Sequence, residues 1–272
     1  MTIKNALEEI SKKISFSEAE ILLAFVLDKN REWLWAHDDK DISQTLIRKF
    51  QNLVKRRLGG EPIPYIIHNQ EFHGLDFFVN KNVLIPRPET EILVEEAIKM
   101  IEGDRRDKLI IADVGTGSGC IGVTIATKLK SKKVKIYATD ILKKALEIAK
   151  KNAQKHNLSN AITFLRGDLL DALPEKVDIV VANLPYVKSD FNFNLFEPKK
   201  ALDGGKNGLL IIKKLLKQAP KYLKPGGVVF LEISPEQKRG LSDLILKIFP
   251  DAKINKFIND YNKKVRVLGL TI

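Results

Sequence analysis

An apolar run, Leu109-Ile110-Ile111-Ala112, leads into Asp113-Val114-Gly115-Thr116-Gly117-Ser118-Gly119-Cys120-Ile121-Gly122, and a helix-like stretch follows from Cys120 to about Lys130. No other segment narrows the possible folds so far. Strand, glycine-rich turn and helix in that order make a nucleotide cradle. The glycines adopt positive φ and let a ligand reach the backbone, and the helix start offers free N–H groups. A second strand, Val134 to Thr139, ends in Asp140, roughly twenty residues beyond the loop, where a carboxylate can accept both hydroxyls of a ribose. After Ile92 strand and helix patterns alternate, which argues for a doubly wound α/β sheet. The strand candidates are 109–114, 134–140, 161–166, 177–183, 227–233, 253–258 and 264–271. No helix separates the last two, so they are expected to pair antiparallel.

The apolar run Val177-Asp178-Ile179-Val180-Val181-Ala182 reads as a buried parallel strand. Asn183-Leu184-Pro185-Tyr186 then falls at its carboxyl end, the edge of an open α/β sheet where ligands bind. Asn183 offers a side-chain carbonyl. Pro185 biases Leu184 toward an extended conformation, which frees the Leu184 carbonyl to point into a cleft. Tyr186 adds a flat apolar face with a polar tip. Two acceptors beside an aromatic plane form a receptor for a planar group bearing an NH2. The plainer alternative is a strand-ending turn, since Asn and Pro are common turn residues.

Gly117 to Gly122 formally fits G-x-G-x-x-G, the dinucleotide fingerprint, a weak signal when it stands alone. The spacing Asp113-x-Gly115-x-Gly117-x-Gly119 more closely resembles the loop of methyltransferases that use S-adenosylmethionine (SAM). In that reading Gly115, Thr116, Gly117, Ser118 and Gly119 lie against the amino acid end of the cofactor, and Asp140 takes its ribose. Asp168 and Leu169, after the strand ending at Arg166, meet the adenine edge and face. Gly167-Asp168 also fits a simple turn. Nothing in the sequence offers a hydride-transfer site, which counts against a nicotinamide cofactor.

Leu84-Ile85-Pro86-Arg87-Pro88-Glu89-Thr90-Glu91 precedes an amphipathic run from Ile92 to Ile101. Its prolines predict an extended segment that is not helical at Pro88, with Glu89 or Thr90 opening the next helix. The segment is at least an interdomain linker. Arg87, between two prolines, is also a stiff placement for a cation.

These motifs together resemble the release-factor glutamine methyltransferase family, the HemK/PrmC type. The resemblance covers nearly the whole chain. It includes Gly60-Glu61-Pro62-Ile63-Pro64-Tyr65-Ile66, Phe72-His73-Gly74-Leu75, the segment Ile85 to Glu91, the glycine loop and Asn183 to Tyr186. It continues through Phe196-Glu197-Pro198-Lys199-Lys200-Ala201-Leu202-Asp203-Gly204-Gly205 and Leu231-Glu232-Ile233-Ser234-Pro235-Glu236-Gln237. The chain differs from the family pattern at Leu184, where proline is usual, and at Ser234, where glycine is usual. It also has a loose version of the ending over Asn259 to Val267.

The resemblance implies a class I methyltransferase fold, Rossmann-like with a seven-stranded mixed sheet, preceded by a small helical domain and a β-hairpin linker. It implies methyl transfer from SAM, with S-adenosylhomocysteine as product, to the Gly-Gly-Gln glutamine amide of class I peptide chain release factors. Asn183, Leu184, Pro185 and Tyr186 would be catalytic and would bind substrate, with Asn183 also next to the cofactor. Arg87, Glu197 and Pro198 would shape the substrate rim. Three alternatives stay open: a glutamine methyltransferase for a ribosomal protein, a nucleic-acid adenine methyltransferase with a similar Asn-Leu-Pro-Tyr motif, and a SAM-binding protein without catalysis.

Composition fits a cytoplasmic enzyme. With 272 residues, 44% of them hydrophobic, the chain can bury a sizeable core and exceeds one typical domain. No apolar run is long enough to span a bilayer, and Glu8 and Glu9 do not suit a signal peptide, so no membrane partner is expected. One cysteine, Cys120, excludes an intrachain disulfide, and His37, His68, His73 and His156 lack metal-ligand spacing, so no metal is expected. Residues 1–85 carry 12 Lys and Arg against 12 Asp and Glu, while 86–272 carry 34 against 22, so the whole net charge of +12 lies in the second part. Pairs such as Lys132-Lys133, Lys143-Lys144 and Lys213-Lys214 contribute, and most read as solvated helix faces. Direct nucleic-acid binding is not required, and a monomer is expected.

The domain reading is a helical substrate-docking domain over residues 1–60, a hairpin and Pro-rich linker over 61–88, and the methyltransferase domain over 89–272. Helical periodicity runs through Ile3, Leu7, Ile10 and Ile14, then Ile21 to Leu27, then Leu46, Ile47, Phe50 and Val54, with Gly59-Gly60 as the stop. Tyr65-Ile66-Ile67 and Leu75 to Val79 read as two short strands around Gly74.

Overall fold

The computed structural model describes residues 1–106, 108–129, 133–191, 196–250 and 253–272. Lys130 and Lys132, expected respectively in a helix and in a surface lysine pair, lie outside the described residues. The chain forms two compact units, Met1–Asn69 and Gln70–Ile272. The segment 61–88, expected as a linker, divides between them.

The first unit holds α1 (Ile3–Ile10), α2 (Phe16–Leu27), α3 (Arg31–Ala36), α4 (Gln44–Leu58) and α5 (Ile63–Ile67). Thr2, Ser15, Asn30 and Ser43 cap the first four, each side chain accepting an N–H from the first turn, and Ser15 with Glu18 forms a capping box. Its core gathers Ile3, Leu7, Leu22, Leu23, Leu34 and Phe50. The strand expected around Tyr65 is instead the helix α5. Pro62 is its N-cap and Pro64 lies in its first turn, where a missing N–H costs nothing. Tyr65 and Ile66 are buried, and His68 ends the helix with φ 55°. The hairpin around Gly74 does form, from β1 (Gln70–Phe72) and β2 (Leu75–Phe77), so its first strand lies five residues later than expected.

The second unit continues with α6 (Pro88–Gly103), β3 (Lys108–Val114), α7 (Cys120–Lys128), β4 (Lys133–Asp140), α8 (Lys143–Lys155), β5 (Ile162–Arg166) and β6 (Val177–Ala182). It ends with α9 (Leu210–Tyr222), β7 (Leu223–Glu232), α10 (Lys238–Ile248), β8 (Lys253–Asn259) and β9 (Val265–Thr271). Seven strands make one sheet in the order β5-β4-β3-β6-β7-β9-β8, parallel except for β9, which pairs antiparallel with both β7 and β8. This is the mixed sheet of a class I methyltransferase. β6 shows why its sequence is apolar throughout. Ile179 and Val181 enter the core on one face, with Phe72, Phe77 and Leu93, while Val180 and Ala182 enter the core on the other, with Leu215 and Leu216. Asp178 is the exception, buried at the amino end of β6. It accepts from Arg106 at 2.5 Å, Lys224 at 2.8 Å and the Ile110 N–H at 2.8 Å. No described helix is long and apolar enough to cross a membrane.

The helix after the Pro-rich segment begins at Pro88, not after it. Arg87 is the N-cap with extended φ and ψ, so Pro86 and Pro88 each keep a compatible backbone, and Pro88 sits at the first helical position. Thr90 therefore lies inside the first turn of α6 and is 2% exposed.

Candidate active site

Parallel neighbours β3 and β6 place Val114 opposite Ala182, and β6 and β7 place Ala182 opposite Leu231. The glycine loop, Asn183 and Glu232 thus follow one another along the carboxyl edge of the sheet. Strand order reverses direction at β3 and β6, so the edge between them is the switch point where open α/β sheets bind ligands. A cleft opens there. Arg87, Gly115, Thr116, Gly117, Ser118, Asp140, Asp168, Leu169, Asn183, Leu184 and Pro185 all line it. Gly119, Tyr186, Glu197 and Pro198 do not.

Between β3 and α7 the chain turns with positive φ at Gly115, Gly117 and Gly119, of 74°, 57° and 84°. At Gly119 a Cβ would come within 3.1 Å of the Ala149 backbone, so glycine there also lets α7 approach α8. Asp113 braces the loop from beneath. Its Oδ2 accepts from the Thr116 hydroxyl at 2.6 Å and the Gly122 N–H at 3.0 Å, while Oδ1 is buried with no partner among the described residues. Burial pushes the Asp113 carboxyl up to about 6. Asn152, fully buried on α8, donates to the Ser118 carbonyl at 2.8 Å and exchanges bonds with the backbone of Phe78. Asp140 accepts from the N–H groups of Gly117 at 3.0 Å and Leu142 at 2.8 Å, and burial raises its pKa against these donors. Leu169 holds φ 58°, rare for a bulky side chain, with its carbonyl accepting from the Thr139 hydroxyl at 2.9 Å. Cys120 is a buried, structural thiol, pushed up to about 12 by burial.

Asn183 Nδ2 donates to Thr90 Oγ1 at 2.9 Å, and that hydroxyl donates to Glu232 Oε2 at 2.5 Å. Glu232 Oε1 accepts from the Tyr186 hydroxyl at 2.9 Å. Glu232 is 2% exposed, and burial raises its pKa. Tyr186 is raised too, by burial first and by the Glu232 carboxyl next. Leu184, at the position where the family pattern has proline, is 2% exposed and packs over Gly115.

Arg87 and Glu197, both expected at the substrate rim, bind one another. The guanidinium donates to both carboxylate oxygens at 2.7 Å, so it joins the Pro-rich segment to the loop before Lys199. Asp168, expected at the adenine edge, is engaged by Lys214.

Comparison with known proteins agrees with this geometry. A family described as the PrmC N-terminal domain matches residues 2–67, and one described as a methyltransferase domain matches 105–252. A protein of Bacillus anthracis named release factor glutamine methyltransferase is 37% identical over 261 residues, covering 92% of this chain and 90% of that protein. One of the same name from Coxiella burnetii is 38% identical, covering 90% of each. The chain belongs to the release factor glutamine methyltransferase family. Solved structures carry the same fold. A methyltransferase from Pyrococcus furiosus aligns with a TM-score of 0.54 at 21% identity, over 81% of this chain and 98% of that one. A putative class I SAM-dependent methyltransferase from Listeria monocytogenes aligns at 0.53 and 16%, over 99% and 85%.

Sequence reading of this release factor glutamine methyltransferase family member missed two residues of the site. Thr90 reads as a helix cap, and only its burial beside Asn183 separates it from one. Asn152 carried a usable signal. It is polar within the apolar stripe Ala145, Leu146, Ile148, Ala149, Ala153, and a polar group in such a stripe needs a buried partner.

Proposed function

We propose that this protein transfers a methyl group from SAM to the side-chain amide nitrogen of the glutamine in the Gly-Gly-Gln motif of class I peptide chain release factors, in the cytoplasm and as a monomer. One observation carries the reading. β3 and β6 are neighbours, so the glycine loop with Asp140 and the acceptor Asn183 open into one cleft.

The residues present fit the cofactor. Gly115, Thr116, Gly117 and Ser118 expose backbone to its amino acid end, Gly119 closes the turn against α8, Asp140 has lone pairs left for ribose hydroxyls, and Leu169 offers an apolar face to the adenine. Asp168, engaged by Lys214, contributes at the cleft edge. When bound, SAM supplies a methyl group already activated by a sulfonium.

An amide nitrogen is a poor nucleophile because its lone pair is delocalised into the carbonyl. Asn183 Oδ1 and the Leu184 carbonyl accept the two N–H bonds of the glutamine and turn its nitrogen toward the methyl. Pro185 keeps the Leu184 backbone extended, and Tyr186, outside the cleft lining, anchors the end of the tetrapeptide through its hydroxyl bond to Glu232. Orientation in a site shielded from water supplies on the order of several kcal/mol of the barrier. No strong general base is needed, because the proton leaves after the methyl has arrived. The Arg87–Glu197 pair and Pro198 fix the rim over the substrate.

Tritiated SAM with purified class I release factor, beside a factor whose Gly-Gly-Gln glutamine is alanine, tests the reading. Label on the normal factor alone is expected. Label on neither, with transfer to ribosomal protein or RNA in a lysate, keeps the methyltransferase and overturns the substrate. Asn183→Ala should lower kcat roughly 10²-fold or more with SAM affinity little changed. A variant that keeps most of its turnover removes Asn183 from this role.

A further inference from the structure

Resting on the reading above, we infer that Thr90 is a positioning residue for the Asn183 carboxamide, with the polarity of its hydroxyl set by Glu232. An asparagine amide can sit in two orientations of nearly identical shape, one presenting oxygen to the cleft and the other NH2. Only the first accepts a glutamine N–H, so something must choose between them.

The hydrogen bonds make that choice. Glu232 as a carboxylate has only acceptors, and it takes one proton from Thr90 Oγ1 at 2.5 Å and one from Tyr186 Oη at 2.9 Å. A threonine hydroxyl has a single proton, and while Glu232 is ionised that proton is committed to it. Towards Asn183 it can therefore only accept. The atom of Asn183 that meets it at 2.9 Å must be Nδ2, which leaves Oδ1 facing away, with no protein partner among the described residues. Turning the amide over would set two acceptors against each other inside a site where Thr90 is 2% exposed and no water can separate them. The same carboxylate fixes Tyr186, so one buried acid orders both ends of the Asn183-to-Tyr186 tetrapeptide. The three groups come from three elements, the first turn of α6, the end of β6 and the end of β7, so their meeting is a property of the fold and not of a local turn.

The test replaces Thr90 by valine, which keeps the shape and removes the hydroxyl, and by serine, which keeps the hydroxyl. Thr90→Val is expected to lower kcat roughly 10- to 100-fold while the KM for release factor and the Kd for SAM change little, and Thr90→Ser is expected to restore most of the rate. Thr90→Ala serves in its place if the valine protein does not fold. The decisive arm repeats Thr90→Val in the Asn183→Ala background. If Thr90 acts through Asn183, the second substitution adds nothing there. An undiminished loss in that background, or a Thr90→Val enzyme with normal kcat, overturns the inference. Failure of the underlying reading looks different: Asn183→Ala itself would stay active.

Discussion

Asp113 is buried beneath the glycine loop with one carboxylate oxygen bonded twice and the other without a partner among the described residues. Burial raises its pKa from 3.8 to about 6. The neutral form therefore favours the fold. That contribution is complete below the unfolded value and is lost as pH rises through the folded one. A two-unit shift corresponds to roughly 3 kcal/mol. In Asp113→Asn the amide oxygen can accept from Thr116 and Gly122 while its NH2 takes the unbonded position, with no charge at any pH. Relative to that variant, the native protein should lose thermal stability between about pH 4 and about pH 7. Melting curves of both proteins across that window check it, and a difference that stays flat would mean Asp113 ionises normally in the fold. Individual residues also mark where sequence alone runs short. Arg87 reads in the sequence as a stiffly placed cation at the substrate rim, and its pairing with Glu197 is not visible there, because pairing 110 positions apart has no local signature.

At the scale of elements, the central strands were readable because a buried parallel sheet demands largely apolar runs, and β3 and β6 supply them. The antiparallel β8–β9 pair followed from the absence of a helix between them. Prolines produced both misreadings. Pro64 and Pro88 each sit in a first helical turn, where the ring does no harm, so a residue that usually breaks a helix opened one. The loop beyond β6 was legible only as a motif, and Gly208 shows what it does. With φ 68°, Gly208 lies so close to the tetrapeptide that a Cβ would stand 2.2 Å from the Tyr186 carbonyl oxygen and 2.6 Å from Gln237 Nε2. The Gln237 amide bonds both the Gly208 and the Tyr186 carbonyls, at 2.8 and 3.2 Å. Gly74 is the control, with φ 75° and nothing within 4 Å of its Cβ position. Gly74→Ala should cost roughly 1–2 kcal/mol from the backbone alone and leave kcat intact. Gly208→Ala should cost roughly 2–5 kcal/mol and lower kcat, since the Tyr186 backbone must move. Denaturant unfolding and turnover of both variants decide it. A destabilised Gly208→Ala enzyme with native kcat would show that the placement of Tyr186 does not matter to the reaction.

Across the whole molecule, chemistry and charge are divided between the two units. The cleft, Asn183 and nearly all of the excess positive charge belong to the second, where residues 70–272 carry 35 Lys and Arg against 24 Asp and Glu, while the helical unit keeps a core of its own. A transferase that must single out one glutamine on a folded protein needs contact area beyond the few atoms of an amide, and the helical unit has a feature suited to supplying it. Trp35 is 66% exposed and Phe16 is 42% exposed, and their rings meet edge to face at 6.0 Å. Large aromatics left in water cost the monomer and contribute heavily at protein interfaces. Trp35→Ala should therefore raise the KM for release factor on the order of tenfold. It should leave kcat and SAM affinity unchanged and move stability by no more than roughly 0.5 kcal/mol, as is usual for an exposed position. Steady-state kinetics with intact release factor, set beside a short Gly-Gly-Gln peptide, separates docking from chemistry. The defect should vanish with the peptide, which is too small to reach a second contact. An unchanged KM for the intact factor would place its docking elsewhere, and an equal defect with the peptide would mean that Trp35 supports the cleft itself.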